Sequence, residues 1–204
     1  MYQPPCPSRR RRWKGDQGER KRVLLQILRI VVASLGLGSV GVSPAHADGG
    51  TVPEYQVKAA FLYNFAKFVQ WPAEAFPSSS SPLILGILGR DPFGPLLERT
   101  LQGKTAQGRS FVIRRSADLK GLGFCHILFI AASEKERLPQ ILQALQGPVL
   151  SVSEVPRFAQ QGGILNFFLA GDQVRFEINL KKAEKLRIKI SSQLLQLARI
   201  VPSG

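Results

Sequence analysis

A group of polar side chains near the C-terminal end of the chain is spaced to share one surface. Residues 164–169 and 174–180 have the pattern of two strands, and the Gly171-Asp172 pair between them is typical of a two-residue hairpin turn. This register places apolar side chains on one face and polar ones on the other. The polar face carries Asn166, Arg175, Glu177 and Asn179. Such a group suits the binding of a partner or a small polar ligand, and equally a solvated or helix-covered face with an Arg–Glu pair.

Acid–base or nucleophilic catalysis would have to use His126, the one histidine outside residues 1–47. It lies in an apolar, strand-like run, and its neighbour Cys125 would point to the opposite face of a strand. A catalytic histidine needs a nucleophile and an orienting acid at hand. The sequence contains no H-E-x-x-H, G-x-S-x-G, P-loop or Cys/His cluster. It therefore predicts no catalytic residues, no metal site and no cofactor.

Three glycines in the segment 86–94 invite comparison with a dinucleotide-binding loop. Gly86, Gly89 and Gly94 lack the G-x-G-x-x-G spacing, and no acidic residue stands at the ribose-binding position after a second strand. We expect these glycines to serve a turn and close packing instead.

A basic run lies in residues 181–189, where five of nine residues are lysine or arginine. Its members are Lys181, Lys182, Lys185, Arg187 and Lys189. A run of this kind suits anionic lipid headgroups or an acidic partner, and is also common on an ordinary solvated surface. It lacks the interleaved aromatic residues of a nucleic-acid-binding surface, so we predict no nucleic-acid partner.

The N-terminal 47 residues have the layout of a secretory signal peptide. A region rich in arginine and lysine precedes an apolar run at 30–42, and Ala45-His46-Ala47 follows as an A-x-A cleavage signal. The apolar run is shorter than the roughly 20 residues that a spanning helix needs. We expect Sec-dependent export to the periplasm, with cleavage after Ala47 and a single α/β domain over residues 48–204.

Removal of this leader changes the charge balance of the chain. The whole sequence of 204 residues has 28 Lys+Arg against 14 Asp+Glu, a formal net charge of +14. The leader holds nine of these basic and two of these acidic residues, so the remainder has a net charge of +7. Only Cys125 is left of the two cysteines, and its apolar neighbours predict a buried, inert thiol.

The rest of the chain alternates short apolar runs with helical patterns. The periodicity predicts a helix over 53–70 whose stripe of Val57, Phe61, Phe65, Phe68 and Val69 faces the core. Strands are predicted at 83–88, 111–114, 126–131 and 149–152, and helices at 91–101, 133–145, 155–161 and 181–186, with Asp91, Ser133 and Ser191 as helix caps. This alternation predicts an α/β fold: a mainly parallel sheet flanked by helices, with an antiparallel hairpin near the C-terminus.

Several longer strings resemble the YfiR family of periplasmic proteins. They are EYQVKAAFLYNFAKFV at 54–69 followed by Trp71-Pro72, LGRDPFG at 88–94, CHILFI at 125–130, GGILNF at 162–167, RFEINL at 175–180 and KISS at 189–192. These strings occur in order and cover most of residues 54–201. The polar residues within them that match the family pattern are Lys58, Asn64, Asn166, Arg175, Glu177 and Asn179, which we take as candidate partner- or ligand-binding residues.

The resemblance implies a non-enzymatic regulator. Its best understood member binds the periplasmic sensor region of an inner-membrane diguanylate cyclase and holds the enzyme inactive. An outer-membrane-associated lipoprotein sequesters that repressor, which releases cyclic-di-GMP synthesis and promotes biofilm formation. The resemblance also implies a homodimer. This chain departs from that member in its cysteines, since the member is stabilised by intramolecular disulfides and only Cys125 remains here.

Two other functions fit the same residues. A periplasmic small-molecule sensor would use the polar hairpin face as its pocket. A hydrolase would use His126 and Glu177 as acid–base groups.

Overall fold

An eight-stranded, mostly parallel sheet forms the centre of residues 54–202, the part of the chain that the computed structural model describes. The expected leader and its cleavage site lie outside the described residues and stay predictions. The helices are α1 Glu54–Phe68, α2 Leu96–Leu101, α3 Leu119–Leu122, α4 Leu138–Ala144, α5 Leu180–Lys185 and α6 Ser192–Leu195. The strands are β1 Val69–Gln70, β2 Leu83–Leu88, β3 Thr105–Ala106, β4 Arg109–Ser116, β5 Ile127–Ile130, β6 Leu150–Ser153, β7 Leu165–Ala170, β8 Gln173–Ile178, β9 Lys189–Ile190 and β10 Arg199–Ile200.

The strand order in the sheet is β10-β8-β7-β6-β5-β2-β4-β3. The strands β4, β2, β5, β6 and β7 run parallel, whereas β8 is antiparallel to β7 and β3 is antiparallel to β4. The predicted α/β fold, with a parallel sheet and a C-terminal antiparallel hairpin, is confirmed. A separate antiparallel pair, β1 with β9, joins the end of α1 to the chain after α5 and was not predicted.

Hydrophobic side chains cover both faces of the sheet, because β2 and β5 are apolar at every position and β6 adds Leu150 and Val152. On one face the core includes residues of α1 and α2 together with the inward side of the hairpin. On the other face α3 and α4 pack with the strand side chains that alternate with the first set. The result is a three-layer arrangement of helix, sheet and helix.

Helix α1 is buried more widely than a single apolar stripe predicts. Of the predicted stripe, Phe65 and Val69 are fully buried, while Val57, Phe61 and Phe68 are only half-buried against the same core. The adjacent positions Ala59, Leu62 and Ala66 are completely buried instead. A helix that packs against neighbours on several sides is not buried along one face only. Its small side chains lie where the contacts are closest.

Three predicted helices are shorter than expected or absent, each for a local reason. The first begins at Leu96 rather than at 91, because the Asp91 carboxylate accepts a hydrogen bond from the Phe93 amide (2.8 Å) and closes a turn instead. The helix predicted over 133–145 is a 3-10 segment, Ala132–Arg137, followed by α4. Ser133 does not cap it; its hydroxyl accepts from the Arg90 amide at 3.0 Å.

The segment 155–161 forms consecutive turns and no regular helix. Its backbone is held by side chains of the hairpin. Ser191, in contrast, caps α6 as predicted, since its hydroxyl accepts a hydrogen bond from the Leu194 amide at 3.3 Å.

The lone cysteine of the described residues is buried, as predicted, against a glycine of β2. Burial raises the pKa of the Cys125 thiol to about 11, so it stays protonated and unreactive at neutral pH. A β-carbon added at Gly86 would lie 2.6 Å from the Cys125 sulfur and 3.2 Å from Leu128. The close approach of β2 to the chain before β5 therefore requires glycine at this position.

We expect Gly86→Ala to lower the free energy of unfolding by about 1–3 kcal/mol, because the new methyl group collides with the sulfur. Adding Cys125→Ala removes that sulfur, so the double variant should lose less than the two single losses together. Urea unfolding of all four proteins measures this coupling. Strictly additive losses would show that the contact with the Cys125 sulfur is not the reason for glycine at position 86.

Candidate functional site

The hairpin has the predicted register. Leu165, Phe167 and Leu169 lie opposite Ile178, Phe176 and Val174, and Asn166 lies opposite Glu177. The turn residue Gly171 has a φ of +59°, a conformation that favours glycine. The polar face of the hairpin therefore exists as predicted, on the side of the sheet opposite α1.

This polar face is largely buried. Asn166 and Glu177 are each 2% exposed and Asn179 is 1% exposed, whereas Arg175 is half-buried. A polar group removed from water must find a partner within the protein. Which partners these side chains have determines what the face can do.

The side-chain amide of Asn166 bonds to the backbone of residues 153–158. Its oxygen accepts a hydrogen bond from the Phe158 amide at 3.1 Å, and its nitrogen donates to the carbonyls of Ser153 (3.1 Å) and Val155 (3.0 Å). Ser153 is the last residue of β6, and the Phe158 amide also donates to the Val155 carbonyl at 3.1 Å. Asn166 thus adds side-chain hydrogen bonds to the turn that the chain makes as it leaves β6.

Residues 154–163, called here the anchored loop, are also held by Asn179, the residue after β8, and by packing within the loop. The Asn179 amide nitrogen donates to the Ala159 carbonyl at 2.9 Å, while its oxygen accepts from the Lys182 amide and caps α5. At Gly163 there is no space for a β-carbon, because the ring of Phe158 packs against the backbone there. The loop exposes Pro156, Arg157 and Gln161 to solvent.

Lys58 holds the start of the same loop from the other side. Its ammonium group, which is buried, forms ion pairs with Glu154 and with Glu54, one turn earlier in α1. The Tyr55 hydroxyl donates to Glu154 at 3.1 Å. Burial, together with the nearby Glu154 charge, raises the pKa of Tyr55 to about 12. Glu154 and Tyr55 carry no sequence signal of their own, because the contact joins residues almost 100 positions apart.

Glu177 lies opposite Asn166 in the hairpin, and Arg175 lies nearer the hairpin tip. The buried Glu177 carboxylate forms an ion pair with Arg199 of β10, and the Arg199 guanidinium lies 4.5 Å from the centre of the Phe168 ring. Arg175 donates to Gln173 at 2.6 Å. The predicted Arg–Glu pair is therefore made with Arg199 rather than with Arg175, because β10 adds a strand beside β8.

The six candidate residues do not form one cluster. Lys58, Asn166 and Asn179 bond to the anchored loop, Glu177 bonds to β10, and Arg175 lies at the surface. Asn64 is buried in α1. Their role in binding a partner or ligand stays a prediction, with Arg175 the one that solvent reaches most readily.

The point where the strand order reverses is a second candidate site, because ligands of open α/β sheets bind there. Here the chain moves from β2 to β4 in one direction and from β5 to β6 in the other, so the reversal lies between β2 and β5. The protein's own Glu134 and Ser133 fill this position against Gly89, whose φ is +89°. Glu134 is in turn paired with Arg137 at 3.0 Å. A carboxylate here repels the phosphates that bind at this position in nucleotide-binding proteins.

His126 is a buried structural residue in this fold. Its Nδ1 accepts a hydrogen bond from the Ile84 amide at 3.0 Å, and its Nε2 lies 3.1 Å from the Ala75 carbonyl, so Nε2 carries the proton. Its ring stacks on Phe76 with the centroids 4.3 Å apart. Both ring nitrogens are used for backbone groups, which leaves neither for catalysis.

We expect Asn166→Ala to lower the free energy of unfolding by about 2–4 kcal/mol, since it removes three buried hydrogen bonds to backbone groups. The matched control, Arg175→Ala on the same strand pair, should change it by less than about 0.5 kcal/mol. Hydrogen exchange of the amides in 155–161 should accelerate only in the first variant. Equal exchange in both variants would rule out the anchoring role.

A further prediction concerns the stability of the fold at acidic pH. Burial lowers the pKa of His126 from 6.5 to about 4. Between these values the unfolded chain binds a proton that the folded chain does not, so stability present above pH 6.5 is lost as the pH falls toward 4. The loss should reach about 3 kcal/mol at pH 4.

His126→Asn keeps an acceptor for the Ile84 amide and cannot titrate in this range. The variant should therefore show a shallower fall in unfolding free energy between pH 6.5 and 4 than the wild type, measured by urea unfolding at each pH. An equally steep fall in the variant would assign the acid sensitivity to other groups.

Comparison with known families identifies the whole described domain. A family model described as YfiR/HmsC-like matches residues 55–199, which run from the start of α1 to β10. Within residues 54–202, no group of three or more His, Cys, Asp or Glu side chains is placed to hold a metal ion. In the same residues, no helix has the length and hydropathy to cross a membrane.

Proposed function

Since the chain belongs to the YfiR/HmsC-like family, we propose that it is an exported, non-enzymatic regulatory binding protein. In this proposal it represses an inner-membrane diguanylate cyclase through the enzyme's periplasmic sensor region, and so lowers cyclic-di-GMP and biofilm formation. A periplasmic lipoprotein associated with the outer membrane would relieve the repression by binding the repressor in competition.

The observation that carries the proposal is the extent of the family match. It spans every strand of the large sheet, the anchored loop and both ends of the hairpin, so the match includes the elements on which any family function depends. A match confined to the parallel strands would indicate only a common α/β layout.

The site chemistry supports binding over catalysis. The nucleophilic and acid–base side chains that sequence reasoning singled out are engaged in internal contacts: His126 with backbone groups, Cys125 with Gly86, and Glu177 with Arg199. At the hairpin end, solvent reaches Arg175, Arg199 and part of Phe168. Arginine beside an aromatic ring is the composition of a protein-binding surface.

Repression then follows from linkage. A protein that binds the inactive form of the cyclase more tightly than the active form shifts the population toward the inactive form. A competitor that binds the repressor reverses the shift without touching the enzyme. A rigid surface serves this role well, because little of its binding energy is lost in ordering.

Deleting the gene should raise cellular cyclic-di-GMP, and the full-length gene supplied in trans should restore the original level. A gene lacking codons 2–47 should produce protein without restoring it, because the protein would then stay on the wrong side of the membrane. Mass spectrometry of extracted nucleotide measures the outcome. Unchanged cyclic-di-GMP in a strain shown to make the protein would contradict the proposal.

A further inference from the structure

The structure brings the basic run of 181–189 next to two aromatic residues of α1. The strand β9 pairs with β1, and the Ser191 amide donates to the Phe68 carbonyl at 2.9 Å. The strand β9 therefore lies beside the end of α1, and the ion pair of Arg187 with Glu74 places the chain between α5 and β9 near the residues after β1. The sequence run has no aromatic residue of its own; the fold supplies them.

The lysines of this region have no carboxylate partner among the described residues. Lys181, Lys185 and Lys189 are exposed and form no ion pair, and Lys67 of α1 is likewise exposed and unpaired. Lys181 and Lys185 are four residues apart in α5 and so share one side of the helix. Arg187 is different, because its guanidinium is paired with Glu74. Glu184 is the exposed acid within the run.

Two half-buried rings lie among these charges. The Lys67 ammonium group is 5.5 Å from the centre of the Tyr63 ring and 5.8 Å from that of Phe68. Lys104 approaches Tyr63 from the β3 side at 5.0 Å. The Tyr63 hydroxyl reaches the Thr105 carbonyl at 3.4 Å, so one end of the ring is polar and the body is apolar.

We propose that this surface, defined as Tyr63, Lys67, Phe68, Lys104, Lys181, Lys185 and Lys189, binds the headgroups of an anionic lipid bilayer. Lysines near such a bilayer each strengthen binding about fivefold, and half-buried tyrosine and phenylalanine rings suit the headgroup region. Docking would hold the protein beside membrane-anchored partners and raise its effective concentration there.

The composition favours lipid over an acidic protein. Arginine binds a carboxylate through two parallel hydrogen bonds in a fixed planar geometry, which lysine cannot form. The unpaired cations here are lysines on flexible stems, and the one arginine of the run is already engaged. Flexible point charges suit a bilayer, where the headgroups move and no fixed geometry is required. Binding to the bilayer depends on the arrangement of charge on this surface and not on which enzyme the protein represses.

The test is flotation of the protein, recovered in processed form from cells that express the full-length gene, with vesicles of defined composition. Vesicles of 30% phosphatidylglycerol in phosphatidylethanolamine should retain it in about 0.1 M salt, and neutral phosphatidylcholine vesicles should not. The triple variant Lys181→Gln, Lys185→Gln, Lys189→Gln should bind about a hundredfold more weakly. All three positions are exposed, so thermal unfolding should show that the variant is folded.

The matched control removes three exposed cations elsewhere: Arg99→Gln, Lys120→Gln and Lys135→Gln. It has the same net charge as the first variant and should bind within about threefold of the wild type, since these cations lie outside the proposed surface. Loss of binding in the control as large as in the first variant would overturn the proposal in favour of general charge attraction. Absence of binding to the anionic vesicles, or equal binding to neutral ones, would overturn it outright.

Discussion

The need of buried polar groups for hydrogen-bond partners shapes the part of this domain around the hairpin. Where β6 ends, the chain turns through ten residues without regular secondary structure, and four of them are buried: Val155, Phe158, Ala159 and Gly163. Backbone groups in such a turn cost free energy if left alone. Hydrogen bonds within the loop satisfy some of them, Asn166 and Asn179 add side-chain hydrogen bonds, and Lys58 pairs with Glu154 at the start.

This arrangement joins distant parts of the chain into one rigid region. Helix α1 contributes Lys58 and Tyr55, the anchored loop contributes Glu154, and the hairpin contributes Asn166, with Asn179 directly after it. Loss of one contact leaves a buried charge without its partner or removes a buried hydrogen bond, so the region is ordered as a unit. A regulator that acts by binding benefits from such order, because a preformed surface loses little entropy in the complex.

The same fold separates two kinds of surface. The hairpin end offers arginine and aromatic groups whose geometry is fixed by Glu177, which is the character of a specific protein contact. The end of α1 with α5 and β9 offers unpaired lysines beside half-buried rings, which is the character of a membrane-facing surface. The surface at the hairpin end would select the protein partner, and the lysine surface would hold the protein at the membrane.

Local patterns determined much of this from the sequence alone. The apolar runs of β2 and β5 are buried on both faces, so their identity as parallel strands needed no knowledge of their neighbours. The hairpin register is also a local property, because it follows from the turn at Gly171 and from the alternation of apolar and polar side chains along each strand. Burial of Cys125 followed from its apolar surroundings.

The tertiary structure decided what the polar residues do. A period of two shows that Asn166 and Glu177 share a face, but not that the chain from 154 to 163 covers it or that β10 brings Arg199 beside it. The contact of Tyr55 with Glu154 joins residues almost 100 positions apart, and Glu154 has no distinctive pattern around it. Likewise the lysines of 181–189 were visible as a run, while the aromatic residues beside them come from α1. Side-chain type and spacing are local properties, whereas hydrogen-bond partners and exposure depend on which segments meet when the sheet closes.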